Sequence, residues 1–273
     1  MKAKAMVRTT EESAMTATGL QVDINSDMGE GFGAYRLGDD AAILDIVSSA
    51  NVACGFHAGD PEIMAATFSM ARDKGVAVGA HPSFADLWGF GRRNIPHSMD
   101  EIERLVAYQV GAAQALSAYA GHPIRYVKAH GALGNLTQTD RGVAEAVTRA
   151  VKAVDPGLIC LVIALGFQDR IARDAGLTVR SEIFADRAYT EEGFLVSRKL
   201  AGAVIHDAEK AAERVVRMVE QGGIETLSGQ MLRTPIDSIC VHSDTPAAVA
   251  IAAHVRRRLE ANGVSVRAFA ATA

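Results

Sequence analysis

The sequence predicts an α/β fold, a seven-stranded parallel β/α barrel. Three observations predict it. Short apolar runs recur at residues 22–24, 50–54, 76–78, 124–127, 158–164, 181–184 and 238–241. Polar tips follow all of them but the fifth, and longer helical segments fall between them, the alternation that builds parallel βαβ units. The 273 residues are close to the roughly 250 that one such barrel needs.

Taken in order, the first run sets Asp23 between Val22 and Ile24, so its carboxylate either lines the barrel or pairs internally. After the second run, Asp60-Pro61-Glu62 supplies an N-cap, a proline at the first helical position and a first-turn acid. That helix runs to Lys74 and stops at Gly75. Ser98 and Glu101 make a capping box for a helix ending near Gly121. Thr139 or Asp140 starts the next, closed by Asp155-Pro156-Gly157. Asp207 opens another, ended by Gly222-Gly223, and Thr245-Pro246 opens the last, ended by Asn262-Gly263. Residues 264–269 form an eighth strand or an edge piece; the sequence leaves both open. Residues 1–20 read as a flexible tail, and residues 21–273 as one barrel domain.

Composition narrows the function. Apolar residues make up 49% of the chain, enough for a large core, and the net charge of −4 gives no electrostatic case for nucleic acid or an anionic membrane. No apolar run reaches the ~20 residues of a bilayer span, and residues 1–20 lack the apolar stretch of a signal peptide. A cytoplasmic protein is expected. Cys54, Cys160 and Cys240 are odd in number, widely spaced and set in apolar runs, so they read as buried, inert thiols. Gly29-Glu-Gly31-Phe-Gly33 lacks the third glycine of a dinucleotide loop, and neither a P-loop nor a nucleophile elbow occurs.

The strand tips carry the chemistry. They read Asp23-Ile-Asn25-Ser-Asp27-Met-Gly-Glu30, Gly55-Phe-His57-Ala-Gly-Asp60, Gly79-Ala-His81-Pro82, Lys128-Ala-His130-Gly131, Asp186-Arg187 and His242-Ser-Asp244; the fifth, Leu165-Gly166, has no titratable group. In a parallel barrel all these ends open on one face, which holds the active site. Four of the eight histidines fall there; His97, His122, His206 and His254 read as loop or helix positions. Asp60 and Asp207 read as helix caps, and Asp244 as partly one. A lysine at the end of a buried strand, Lys128, implies a partner or an anion opposite it.

These tips, with Gly89-Phe-Gly-Arg-Arg93, Ala132-Leu133 after Gly131, Ala188-Tyr189 after Arg187 and Thr245-Pro246 after Asp244, resemble the LamB/YcsF family over about residues 20–265. Ala129 and Gly134 depart from its pattern, which has Pro and Tyr there, and Ser243 stands where it has Gly. The resemblance implies a TIM-like barrel of the glycoside hydrolase/deacetylase type, and opening of 5-oxo-L-proline to L-glutamate, with ATP as co-substrate, together with B and C subunits. A lactam resists water through amide resonance, so the reaction needs a nucleophile, stabilisation of charge on oxygen and a proton for the departing nitrogen.

The expected roles follow. Lys128 would meet phosphate or the developing oxyanion, His81 or His130 would act as general base, Asp27 or Asp244 would orient it, and His57 would protonate the ring nitrogen. Arg187 would grip the substrate carboxylate, with Asn25, Glu30, Asp186 and His242 also around the substrate. Asp27, His57 and His81 resemble the Asp-His-His sets that hold a divalent metal in related deacetylases, although the spacing lacks their H-x-x-x-H turn. The alternatives are a metal-dependent amidohydrolase or deacetylase working alone, and a non-catalytic subunit that presents the substrate.

Overall fold

The structure, a computed structural model, describes residues 19–242 and 248–272. In chain order its strands are β1 (Gln21–Met28), β2 (Ser49–Ala53), β3 (Ala77–His81), β4 (Tyr126–Val127), β5 (Ile159–Ile163), β6 (Val179–Phe184), β7 (Gly223–Glu225), β8 (Met231–Arg233), β9 (Ser238–Cys240) and β10 (Ser265–Val266). The helices are α1 (Asp40–Leu44), α2 (Pro61–Asp73), α3 (Met99–Tyr119), α4 (Gly131–Thr139), α5 (Arg141–Val154), α6 (Phe167–Asp174), α7 (Ala208–Gln221) and α8 (Ala248–Ala261).

Strands β1 to β6 pair in sequence, all parallel. Pairing of β9 with both β6 and β1 closes the barrel at seven strands, with Ser238 opposite Glu182 on one side and Asp23 on the other. All seven apolar runs of the sequence became these strands. Residues 264–269 resolve as an edge piece: β10 pairs only with Gln21 and Val22, outside the closed ring. The antiparallel β7–β8 hairpin is separate. Among the described residues no helix is long and apolar enough to cross a membrane.

Helix punctuation follows the side chains. Asp60 Oδ1 accepts from Ile63 N at 2.9 Å, and Asp140 and Asp207 cap α5 and α7 in the same way. Ser98 and Glu101 form the reciprocal capping box of α3, and Gly222 closes α7 in the left-handed conformation. The start of the last helix at Thr245-Pro246 lies outside the described residues.

Period-two alternation gives each strand two jobs. Val22, Ile24, Val52, Val78, Ala80, Val162, Ile183 and Ile239 face out and join one continuous core with Phe68, Val106, Val110, Val147, Val215 and Val255 of the helices. Complete burial of one such side chain contributes about 1.5–3 kcal/mol. Much of the inward set is polar, while Ile163, Phe184 and Cys240 form a small apolar cluster of their own. Asp23, Asn25, Asp27, Ser49, Asn51, Lys128, Glu182 and Ser238 are all buried, so they must satisfy one another.

They do so through one network. Asp23 accepts from the hydroxyls of Ser48 at 2.6 Å, Ser49 at 2.7 Å, and Ser238. Burial pushes its carboxyl up to about 6, against the pull of those hydroxyls. Asn51 Nδ2 donates to Asn25 Oδ1 at 2.7 Å and Asp27 Oδ1 at 2.8 Å, while its own oxygen accepts from Tyr126 at 2.8 Å. The Tyr126 ring fits because residue 79 is glycine; a Cβ there would lie 2.3 Å from it. Phe269 packs edge-on against Tyr126 at 5.0 Å between ring centroids, from the β10 side of the barrel.

Candidate active site

The tip residues gather at the carboxyl-terminal mouth. Asp27 ends the inward row of β1, Glu30 follows it in the next loop, His57 comes from the loop after β2, His81 ends β3, and His130 sits at the N-cap of α4. His81 Nε2 lies 3.1 Å from Asp27 Oδ1 and 3.0 Å from His130 Nδ1. His130 Nδ1 is 3.9 Å from Asp27 Oδ2 and 3.7 Å from Glu30 Oε1. His57 stacks on His130 with ring centroids 3.8 Å apart, and its Nε2 is 3.6 Å from Glu30 Oε1. Neither ring nitrogen of His57 has a hydrogen-bond partner among the described residues.

Backbone carbonyls fix two of these rings. His81 Nδ1 meets the Lys128 carbonyl at 2.7 Å, and His130 Nε2 meets that of Phe90 at 2.9 Å. The second carbonyl is aimed by a strained turn, since Phe90 has φ +54° and Gly91 φ +64°. A bulky residue in the left-handed region is an outlier that persists only where its surroundings enforce it. Here Gly91 N donates to the Asp86 carbonyl at 3.0 Å, and Ala132 N donates to the Gly91 carbonyl at 2.8 Å.

Burial sets the charges. It drives the imidazolium of His57 and of His130 well below the usual range, reinforced by the neighbouring histidines. Burial also raises the Asp27 carboxyl, but His81 and Lys128 outweigh it and hold Asp27 well below the usual carboxylate range. Lys128 Nζ is 3.0 Å from Asn25 Oδ1, 3.1 Å from Asp27 Oδ1, 3.1 Å from Cys240 Sγ and 3.2 Å from Glu182 Oε2. Desolvation opposes its charge, yet Asp27 and its other neighbours raise it well above the ordinary lysine value.

Beside this cluster opens a cavity of about 480 Å³. Lys128, Arg92, Arg187, Arg198 and Lys199 line it, and Asp27 is its one carboxylate among the described residues. Arg187 gives one guanidinium nitrogen to the Val196 carbonyl at 2.7 Å, while its buried Nε has no partner. Burial lowers its pKa to about 10, helped by Arg198. On the same wall, His242 Nδ1 meets both Asp186 oxygens at 2.8 Å and its Nε2 meets Arg198 at 2.9 Å.

The sequence-predicted residues therefore occupy two sides of one mouth. Asp27, Glu30, His57, His81 and His130 form one side; Asp186, Arg187 and His242 form the other, with Lys128 between. Asn25 does not line the cavity; its amide is engaged within the barrel by Glu182, Ser238, Asn51 and Lys128. Asp244 lies outside the described residues, as does Ser243, whereas Ala129 and Gly134 are on the cavity wall. Arg92, Asn94, Arg198 and Lys199 were not assigned from sequence. Their signal was charge within loops: Arg92 in Gly89-Phe-Gly-Arg-Arg93, and the adjacent Arg198 and Lys199.

The chain is 62% identical over 252 residues to the 5-oxoprolinase A subunit of Gluconobacter oxydans, covering 92% of this chain and 99% of that one. It is 60% identical over 249 residues to its namesake in Azorhizobium caulinodans, covering 91% and 98%. The crystal structure of the lactam utilization protein from Thermus thermophilus superposes with a TM-score of 0.86 at 45% identity, covering 92% of this chain and 100% of that one. The LamB/YcsF family profile matches residues 22–273, and the chain belongs to that family.

Proposed function

We propose that this chain is the lactam-opening component of an ATP-dependent 5-oxoprolinase, hydrolysing the cyclic amide of 5-oxo-L-proline to give L-glutamate in an assembly with B and C subunits. The observation that carries the reading is the cavity: five cationic side chains face one carboxylate across a space for a small ligand, next to a buried aspartate–histidine group. Such a lining suits an anionic substrate whose reacting carbonyl gains negative charge. Among relatives, the names of the 5-oxoprolinase A subunits and of the lactam utilization protein point the same way.

Arg187, which lines the cavity and whose Nε has no hydrogen-bond partner, takes the substrate carboxylate. Arg92, Arg198 and Lys199 supply the charge that phosphate groups require. Transfer of the γ-phosphoryl group of ATP to the lactam oxygen, with release of ADP, activates the ring carbon; attack by one water with departure of the ring nitrogen leaves an acyl phosphate, and a second water releases inorganic phosphate and the glutamate carboxylate. The Asp27–His81–His130 group activates the attacking water. His57, neutral and stacked on His130, lies where it can pass a proton to the departing ring nitrogen. Lys128 keeps Asp27 ionised and its charge stabilises the developing oxyanion. In this reading the chain works in the cytoplasm, which its three buried free cysteines support.

The test is ATP-dependent glutamate release from 5-oxoproline, measured with this chain alone and with B and C subunits added. His81→Ala, His130→Ala and Asp27→Asn should each reduce turnover of the assembly at least about 100-fold. Unchanged turnover in all three folded variants refutes the assignment and leaves a substrate-presenting role. Turnover by the chain alone without ATP points instead to an independent amidohydrolase.

A further inference from the structure

The carbonyls that orient His81 and His130 have a second effect. A carbonyl oxygen can only accept, so His81 Nδ1 and His130 Nε2 must carry the protons at 2.7 and 2.9 Å. In the neutral rings, the lone pairs then reside on His81 Nε2 and His130 Nδ1. These two atoms face each other at 3.0 Å, with Asp27 Oδ1 at 3.1 Å from the first and Glu30 Oε1 at 3.7 Å from the second. Lys128 Nζ, 3.1 Å from Asp27 Oδ1, offsets that carboxylate, but two imidazole lone pairs facing each other beside Glu30 Oε1, away from water, repel unless a further cation or a proton lies between them.

We propose that His81 Nε2, His130 Nδ1 and the carboxylates of Asp27 and Glu30 bind one divalent transition ion of the zinc type. The donor chemistry selects the class: two imidazole nitrogens with two carboxylates suit zinc and its first-row neighbours, whereas magnesium and calcium prefer oxygen alone. The donors fit it. All four lie within 4.8 Å of one another, and metal–ligand bonds of about 2.0–2.1 Å place tetrahedral ligands roughly 3.3 Å apart. Each histidine gives its other nitrogen to a backbone carbonyl, the outer support that metal-binding imidazoles characteristically have.

The charge agrees as well. Counting Asp27 and Glu30 against Lys128 leaves one negative charge among these buried groups, and two when Glu182 is ionised. The Asp27, Cys240 and His242 trio is a poorer home. Cys240 Sγ is held against Lys128 Nζ at 3.1 Å, and His242 Nδ1 is taken up by Asp186. The ion set differs from the sequence-based Asp27, His57 and His81: His57 stacks beside the donors, and Glu30 and His130 complete the group. This inference is independent of the lactam reading and holds whichever reaction the mouth performs.

The experiment is a binding measurement. The full chain, stripped with a chelator and dialysed, is titrated with Zn²⁺ by calorimetry and with Co²⁺ by visible absorption. One ion per chain is expected, with a Co²⁺ ligand-field spectrum typical of a four-coordinate nitrogen–oxygen site. His130→Ala and His81→Ala should each weaken binding by more than the 10- to 100-fold that follows loss of an outer-shell partner. Circular dichroism checks folding, and His130→Gln replaces any variant that fails it. No stoichiometric binding by the stripped wild-type chain overturns the proposal and assigns the position to a shared proton. Binding that survives both substitutions overturns it too.

Discussion

Replacing Lys128 tests how the barrel holds charge in its interior. Lys128 Nζ lies 3.1 Å from Asp27 Oδ1 and 3.2 Å from Glu182 Oε2, and all three side chains are buried. At such separations each attraction is about 5 kcal/mol for an effective dielectric constant near 20. Desolvation offsets much of that, and removing one partner of a buried pair costs about 3–5 kcal/mol. Lys128→Met keeps the apolar stem and deletes the ammonium, so it should lose about 3–5 kcal/mol of stability at pH 8.

The pH dependence has a definite sign. Burial raises the Glu182 carboxyl, and Lys128 is the strongest influence pulling it back. Without the ammonium the folded-state pKa rises further. Stability linked to a raised pKa is fully present below the unfolded value and is lost as pH rises through the folded one. The deficit of Lys128→Met should therefore shrink between pH 8 and pH 5. Adding Glu182→Gln should return part of the loss at pH 8, with a coupling of about 0.5–3 kcal/mol in a double-mutant cycle. Urea unfolding followed by circular dichroism measures all of this. A loss under about 1 kcal/mol at pH 8, or a deficit indifferent to both pH and Glu182→Gln, refutes the account.

Three further outcomes are expected. Arg187→Ala should raise KM for 5-oxoproline roughly 10- to 150-fold, the worth of about 1.5–3 kcal/mol for a hydrogen bond to a charged group; an unchanged KM in the assembled enzyme removes Arg187 from the carboxylate. Gly91→Ala and Gly33→Ala both place a side chain at positive φ, a cost of about 1–2 kcal/mol. Only at Gly91 does the new Cβ meet Ser83 Oγ at 2.2 Å and His130 Cδ2 at 2.9 Å, while Gly33 is open. Gly91→Ala should thus lose about 1–3 kcal/mol more from overpacking, and equal melting temperatures for the two would contradict the turn described. Finally, the lowered pKa of His57 means that below about pH 6.5 the unfolded chain binds a proton the folded ring refuses. Stability should fall with pH there by up to about 1.4 kcal/mol per unit from this ring, and His57→Gln should flatten the slope.

Much of the barrel was legible because its outward strand faces are β-branched and its long helices carry side-chain caps. The misses have physical causes. Asn25 and Asp27 read as a tip beyond the first strand, yet β1 continues through Met28; its inner face is polar, so apolar periodicity ended before the strand did. Helices α4 and α6 went unmarked because His130 and Gly166 start them without a side-chain cap bond. The three-residue strands β7 and β8 begin where Gly222-Gly223 signalled only a helix end. The histidines of the mouth were readable from position alone, since the barrel rule brings strand ends together. Arg198 and Lys199 were not: they reach the cavity from a long excursion after β6, and nothing local announces where such a loop returns.

Adjacent residues along each barrel strand serve separate purposes: one side chain secures cohesion with the helical jacket, the next joins the buried polar network beneath the mouth. Ile24 and Asn25, or Ile183 and Glu182, are neighbours in the chain but not in consequence. A library restricted to the loop residues that line the cavity would explore new substrates while sparing the buried polar network beneath it, and one restricted to outward strand positions would tune heat resistance while leaving turnover in place.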